Sequence, residues 1–197
     1  MPSDPSAVIA VVAAAGHSRR FGDDKRRARL PDGRTLLRAT LELAQAGFGA
    51  TWVVLREADD ASELAIPDAV RVLRAPGAGG GLGDSLAVAF AELEGRTDAM
   101  AAAVMLGDMP WVSPTTCRRL AALADAEHIL RPRHRGRAGH PVVFGRDFWA
   151  SLRGLSGERG ARAVLDAHAA ARRSMNVDDP GIHRDVDVPG DLGRRDS

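Results

Sequence analysis

The sequence predicts an α/β fold, a doubly wound and mostly parallel sheet with helices on both faces in three layers. Three observations lead there. Unbroken apolar runs recur along the first two thirds of the chain, segments of helical spacing separate them, and glycine-containing turns join one to the next. At 197 residues the length suits one domain, 1–197, because chains usually divide only beyond roughly 250–300 residues.

Residues 7–13 (AVIAVVA) form the first run, and its β-branched residues suit a parallel strand covered on both faces. Leu37, Leu41 and Ala44 then show helical spacing that stops at Gly47, and residues 51–55, 70–73 and 99–106 repeat the strand pattern. A second helix is expected from Asp84 as its cap, with Leu86, Ala87, Phe90 and Leu93 as an apolar stripe and Gly95 as its end. A third follows Met109-Pro110, where Ser113 can cap and Pro114 can take the first helical position. In the last third, residues 141–144 read as a strand, 159–171 as a helix and 173–177 as a short strand. No repeat interrupts this order, and the ligand of such a sheet belongs at the carboxyl ends of its strands.

Apolar residues make up 45% and charged residues 27%, the balance of a chain that folds on its own. Net charge is only +1, yet Arg19, Arg20, Lys25, Arg26, Arg27 and Arg29 crowd one expected loop, and Arg131, Arg133, His134, Arg135 and Arg137 a second. Two basic loops point to anionic ligands, with solvated surface charge as the plainer alternative for any single arginine. The loops carry no interleaved aromatics and the chain has no tyrosine, which argues against nucleic acid. The one cysteine, Cys117, permits neither a disulfide framework nor a thiolate metal site, and beside Arg118 and Leu120 it reads as a structural thiol. The first residues lack the features of a signal peptide and no apolar run approaches a membrane span, so the expected location is the cytoplasm, away from membranes.

After the first strand comes Ala14-Ala15-Gly16-His17-Ser18-Arg19-Arg20-Phe21-Gly22-Asp23-Asp24-Lys25. Gly16 and Gly22 allow sharp turns, and the backbone N–H groups of such a turn can cradle phosphate oxygens. The spacing is neither that of the P-loop nor that of the dinucleotide fingerprint, so taken alone it leaves a phosphate cradle and a plain turn both open. Asp108 follows the strand ending at Leu106, where a carboxylate can meet Mg²⁺ together with phosphate oxygens and water. Capping of the turn before Pro110 is the alternative for that residue.

The segment A-A-G-x-S-x-R-F-G-x-x-K over residues 14–25 resembles the signature of the molybdenum cofactor nucleotidyltransferase family, whose members share a nucleotide-diphospho-sugar transferase type of fold. Other motifs follow in the family's order: Gly83-x-Ser85-Leu86, Leu106-Gly107-Asp108-Met109-Pro110, Gly139-His140-Pro141-x-x-Phe144, Gly160-Ala161-Arg162, and Asp185-Val186-Asp187-Val188-Pro189-x-Asp191-Leu192. The likeness spans nearly the whole chain. It implies that Ala14, Ala15, Gly16, Ser18, Arg20, Lys25, Gly83 and Ser85 bind the nucleotide, with Arg20 and Lys25 catalytic. It implies Asp108 and Asp187 as ligands of Mg²⁺, although Asp178, Asp179, Asp185 and Asp191 crowd the same region. Arg131 and His140 are implied on the acceptor side, with packing beside Pro141 the alternative for His140.

The implied reaction moves a nucleoside monophosphate from a triphosphate to the phosphate of a molybdopterin-type, anionic pterin acceptor, with a molybdoenzyme as the eventual recipient. Cytidylyl-transferring members tend to carry Ala-Gly where guanylyl-transferring ones carry Gly-Gly, so Ala15-Gly16 favours CTP over GTP. Rival readings are a guanylyltransferase, acting on phospholactate or on molybdopterin, and a non-catalytic molybdopterin-binding accessory protein. Two departures stand out. Residues 75–81 (APGAGGG) replace an expected asparagine and aromatic, and Ala13 replaces a leucine.

Overall fold

The computed structural model describes residues 7–16, 21–75 and 81–193. Its parallel strands are β1 (Val8–Ala13), β2 (Ala50–Arg56), β3 (Arg71–Ala75) and β4 (Ala101–Leu106), joined by helices α1 (Leu36–Gly47) and α2 (Leu82–Arg96). The chain continues through α3 (Pro114–Leu123), β5 (Ile129–His134), β6 (Arg137–Ala138), β7 (Val142–Gly145), α4 (Trp149–Arg153), α5 (Arg162–Ala167) and β8 (Arg172–Asn176). All eight strands form one sheet in the order β3-β2-β1-β4-β7-β5-β6, with β8 beside β5. The expected α/β architecture is therefore present. Its parallel half runs from β3 to β4, while β7 lies antiparallel to both β4 and β5.

Alternation along the strands sorts the core into two layers. Val8, Ala10 and Val12 pack with Leu37 and Leu41 of α1 and Leu120 of α3 on one face of the sheet. Ile9 and Val11 pack with Leu86 and Phe90 of α2, Trp149 of α4 and Val164 of α5 on the other. Strands covered on both sides have no reason to alternate polar with apolar, which is why β1 and β4 read as continuous apolar runs. Cys117 of α3 lies fully inside the first layer, and burial pushes its thiol up to about 12, the state of an inert core residue.

Helix α3 begins as expected, with Ser113 Oγ accepting from the Thr115 N–H and Pro114 at the first helical position. The expectations for three other segments are corrected. Helix α2 starts at Leu82 with Gly81 as its N-cap, and Asp84 sits in the first turn, where its carboxylate reaches back to accept from the Gly81 N–H at 2.7 Å. The second basic segment is a β-hairpin, because Arg135 and Gly136 adopt φ of 49° and 79° and turn β5 back into β6. The helix expected over 159–171 is confined to α5, followed by a 3-10 turn at Ala169–Ala171.

The segment before α1 is fastened by a buried cation. Arg26, in the 3-10 turn Lys25–Arg27, is 5% exposed. Its guanidinium donates to both oxygens of Asp59 at 2.5 and 2.7 Å, to Asp24, and to the Ala14 carbonyl at 3.0 Å. Burial raises the pKa values of Asp24 and Asp59, but the hydrogen bonds and charge of Arg26 outweigh it and both lie below the usual carboxylate range. A depressed folded value adds stability above the unfolded pKa, which is lost as pH falls through the folded value. Asp59→Ala is therefore expected to cost about 2–3 kcal/mol at neutral pH, because Arg26 stays buried without one of its two carboxylate partners. The difference from wild type, measured by urea unfolding, should shrink below about pH 4, where Asp59 of the unfolded wild type begins to take up a proton, and should fade as pH drops through the lower folded value.

Candidate active site

The carboxyl ends of β1 and β4 are adjacent, since Ala13 pairs with Leu106, and both strands open into one cavity of about 300 Å³. Its walls include Ala14, Ala15 and Gly16 after β1, Lys25, Gly107-Asp108 after β4, and Ser85 of α2. Gly107 lets the two strand ends meet, because a Cβ there would stand 3.1 Å from the Ala14 Cβ and 3.2 Å from the Ala13 carbonyl oxygen. That contact sets Asp108 at the cavity floor. Ser18 and Arg20 lie outside the described residues, so the structural setting described for this loop comprises Ala14 to Gly16 and Phe21 onward.

The turn is held from behind. Arg56, at the end of β2, donates to the Ala15 carbonyl at 3.2 Å and to the Gly16 carbonyl at 2.6 Å. With both carbonyls engaged, the N–H groups of Ala15 and Gly16 have no acceptor among the described residues and remain as donors in a wall suited to an anion.

Three segments converge on the floor. Lys25 Nζ lies 2.5 Å from Asp108 Oδ2, 3.0 Å from the Val186 carbonyl oxygen and 3.9 Å from Asp187 Oδ1. Val186 is fully buried with Leu30, Leu36 and Ala39, and its N–H donates to the Asp108 carbonyl at 3.1 Å, which docks the C-terminal motif beside the strand. Burial raises the Asp108 carboxyl pKa, Lys25 opposes that rise, and Asp185 adds to it. Asp108 Oδ1 is buried and lacks a hydrogen-bond partner among the described residues. A buried carboxylate oxygen of that kind, with a second carboxylate sharing the same ammonium, has the donor chemistry of a divalent-cation site completed by phosphate oxygens and water.

The crowded aspartates separate by role. Asp191 accepts from the N–H groups of Asp187 and Val188, and buried Asp179 accepts from Ser113, Thr116 and Gly181. Those two shape the backbone. Asp178 faces His134 at 3.7 Å, far along the sheet. Asp187 is the member brought to Lys25.

Of the second glycine motif, Ser85 lines the cavity and its hydroxyl donates to the Gly81 carbonyl at 3.4 Å. Gly83 instead packs on the chain before α5: its N–H donates to the Gly157 carbonyl at 2.8 Å, and a Cβ would stand 2.7 Å from the Ser156 carbonyl oxygen. That packing brings Glu158 into the cavity wall. Beyond Glu158, Leu82 and Leu106 a second cavity of about 410 Å³ opens over β4, β7 and β5, with Arg131, His140 and Arg162 in its walls. Burial lowers the pKa of the His140 imidazole, with Arg131 adding to the effect, and its Nδ1 is buried without a hydrogen-bond partner among the described residues. Sequence reasoning passed over Arg56, Glu158 and Arg159, and it reached Arg162 only within a motif that the resemblance puts on the acceptor side. The helix expected from residue 159 hid Arg159, although the glycines at 157 and 160 are a loop signal.

The model of the MobA-like NTP transferase domain matches residues 10–172 of this chain. The chain belongs to the MobA-like NTP transferase family. The described structure of Rv0371c from Mycobacterium tuberculosis H37Rv is similar over 93% of this chain and 94% of its own, at 32% identity and a TM-score of 0.80. Rv0371c in complex with manganese is similar at 29% identity, TM-score 0.73, over 95% of this chain and 93% of that one. A nucleotidyl transferase from Methanothermobacter thermautotroptrophicus shares the fold at 24% identity, TM-score 0.77, over 93% of each chain. No curated protein matches the chain in sequence. The sheet and its helices thus have the nucleotide-diphospho-sugar transferase fold, and membership of this family makes the chain a nucleotidyltransferase-type domain. Among the described residues no helix is long and apolar enough to cross a membrane.

For this MobA-like domain, the brace behind the turn has a measurable consequence. Arg56→Met keeps an unbranched aliphatic stem but loses both carbonyl contacts. It is expected to weaken nucleotide binding about tenfold, the equivalent of roughly 1.4 kcal/mol, with little change in melting temperature. Calorimetric titration of CTP into the two proteins checks this.

Proposed function

We propose that this protein transfers CMP from CTP to the phosphate of an anionic, pterin-type acceptor and releases pyrophosphate. The observation that carries the reading is the convergence of Lys25, Asp108 and Asp187 at the floor of the glycine-turn cavity, against a second, cationic cavity. An acceptor phosphate oxygen attacks the α-phosphorus, a new P–O–P link forms, and the bond to the β-phosphate breaks. Displacement of this type calls for alignment and charge neutralisation, with no covalent intermediate on the protein.

The residues divide that work. Ala14, Ala15, Gly16 and Ser18 cradle the phosphates, Arg20 and Lys25 neutralise the charge that develops on them, and Gly83 and Ser85 shape the nucleotide end. Asp108 and Asp187 would hold Mg²⁺, which when bound supplies further neutralisation of the triphosphate. Lys25, already between these carboxylates, is within reach of any phosphate the metal would share. Arg131 and His140 take the acceptor. A carrier that only handed on a cofactor would gain nothing from the buried, unpartnered oxygen of Asp108, so the enzymatic reading is preferred over the accessory protein.

Asp108→Asn should reduce metal-dependent pyrophosphate release by at least ~10²-fold while the melting temperature stays near wild type, because an amide is isosteric but a poor ligand for a hard cation. Near wild-type turnover in saturating Mg²⁺ would remove Asp108 from the reaction.

Ala15 lines the nucleotide cavity yet is only 8% exposed, packed in the layer with Val54 and Leu73. Its methyl occupies space that a purine would need. Such overpacking typically costs ~1–3 kcal/mol, roughly ten- to two-hundred-fold in selectivity. The kcat/KM ratio of CTP to GTP should therefore exceed unity and fall in Ala15→Gly. Wild-type preference for GTP would move the protein to the guanylyl class, whereas an unchanged ratio in the variant would leave the substrate but remove the steric cause.

A further inference from the structure

The two cavities share a wall in which the first turn of α2 lies directly against residues 156–158. A Cβ on Gly83 would stand 2.7 Å from the Ser156 carbonyl oxygen, and one on Gly81 would collide with the Gly157 peptide, so only glycine permits the contact. Both polar groups of Gly157 are fixed there. Its carbonyl accepts from the Gly83 N–H at 2.8 Å, and its N–H donates to Asp84 Oδ2 at 2.9 Å. The same oxygen accepts from the Gly81 N–H at 2.7 Å. Capping of α2 needs only that last bond. The bond to Gly157 adds nothing to the helix and reaches a segment 73 residues further along the chain.

Each side of this seam carries cavity wall. On the helix side, Gly81, Leu82 and Ser85 line the nucleotide cavity; on the other, Glu158 lines both cavities and Arg159 and Arg162 line the second. Residues 156–159 are exposed and lie outside every helix and strand, so core packing does not place them. The seam does.

We infer that Asp84 is a positioning residue that couples the two cavities: its carboxylate passes the state of the first turn of α2 to Gly157, so that a nucleotide seated against Gly81 and Ser85 also fixes residues 156–159 in the wall of the second cavity. A ligand orders a neighbouring segment only through contacts that exist in the state it favours, and here those contacts are the Gly83 and Asp84 bonds. By reciprocity, loosening the seam lowers the affinity for the nucleotide. The inference rests on the reading of the first cavity as a nucleotide site and is independent of what the second cavity takes.

Hydrogen exchange read by mass spectrometry tests the coupling, with peptides spanning residues 154–161 and the turn after β1, in the absence and presence of Mg²⁺ and the better-bound of CTP and GTP. In wild type the nucleotide should slow exchange in both segments, by about fivefold or more. Asp84→Ala should lose the slowing at 154–161 while keeping it at the turn, and should bind the nucleotide about fivefold more weakly by calorimetry. Asp84→Asn, whose amide oxygen can still accept from both N–H groups, should restore it. A purely structural Asp84 would instead raise exchange at 154–161 in the free protein and leave the ratio induced by the nucleotide as in wild type. That result, or a wild type slowed at the turn and not at 154–161, overturns the inference and leaves the nucleotide reading intact. Should Asp84→Ala fail to fold, Asp84→Ser decides, because its hydroxyl is too short to hold both donors. Slowing in neither segment, with no uptake of CTP or GTP by calorimetry, sinks the nucleotide reading and the coupling with it.

Discussion

The functional half of this structure depends on the ammonium of Lys25 standing between two carboxylates from distant parts of the chain. Asp108 arrives at the end of a buried strand and Asp187 on the C-terminal segment, and the ammonium between them offsets the repulsion of their like charges. Burial of Asp108 opposes its ionisation, and Lys25 counters that opposition at 2.5 Å. The same ammonium also takes the Val186 carbonyl, so one side chain ties the glycine-turn segment, β4 and the C-terminal segment to a single point. A site arranged this way has its electrostatic environment in place before a triphosphate enters, which is the condition for stabilising developing charge without reorganisation.

Two arginines keep that point from drifting. Arg26 and Arg56 approach the turn after β1 from the β2 side, and together they take the carbonyls of Ala14, Ala15 and Gly16. Engaging the acceptors of a turn leaves its donors, so these two residues make the surface in front of the turn one that suits an anion. Asp59 links the pair, accepting from the Arg26 guanidinium and from the Arg56 N–H at 2.8 Å. Buried charge is costly unless satisfied, and here each member of the network has its partners, which favours one arrangement of the backbone at Ala14 to Gly16 over many.

Much of the parallel half was legible because its signals are local. An apolar run such as 7–13 has few outcomes besides a covered strand, and Ser113-Pro114 starts a helix wherever it precedes a suitable stripe. The errors arose where local and tertiary preferences diverge. Arg131, Arg133 and Arg135 looked like loop residues because charge suggested solvent, yet the first two belong to β5, which is paired on both sides. Asp84 looked like a cap, but Gly81 took that place because the helix start packs against Gly157, closer than a side chain at that position would permit. At the site, Lys25 and Asp108 could be named from motifs. Asp187 could be named only through the resemblance, since nothing local separates it from Asp191 in the same short segment; the structure separates them, because Asp191 accepts from the N–H groups of Asp187 and Val188.

Charge placement connects the two cavities to one chemical problem. The proposed transfer would join two anions, whose phosphates repel until cations intervene. A net charge of +1 leaves little to spare, so position matters more than amount. Arg26 is consumed by Asp24 and Asp59, and Arg34 and Arg38 by Glu42 on the surface of α1. Arg131 makes no comparable pairing, and Arg159 and Arg162 line the same cavity beside it. Glu158 lines both cavities, and so sets a carboxylate between that cationic wall and the Lys25 floor.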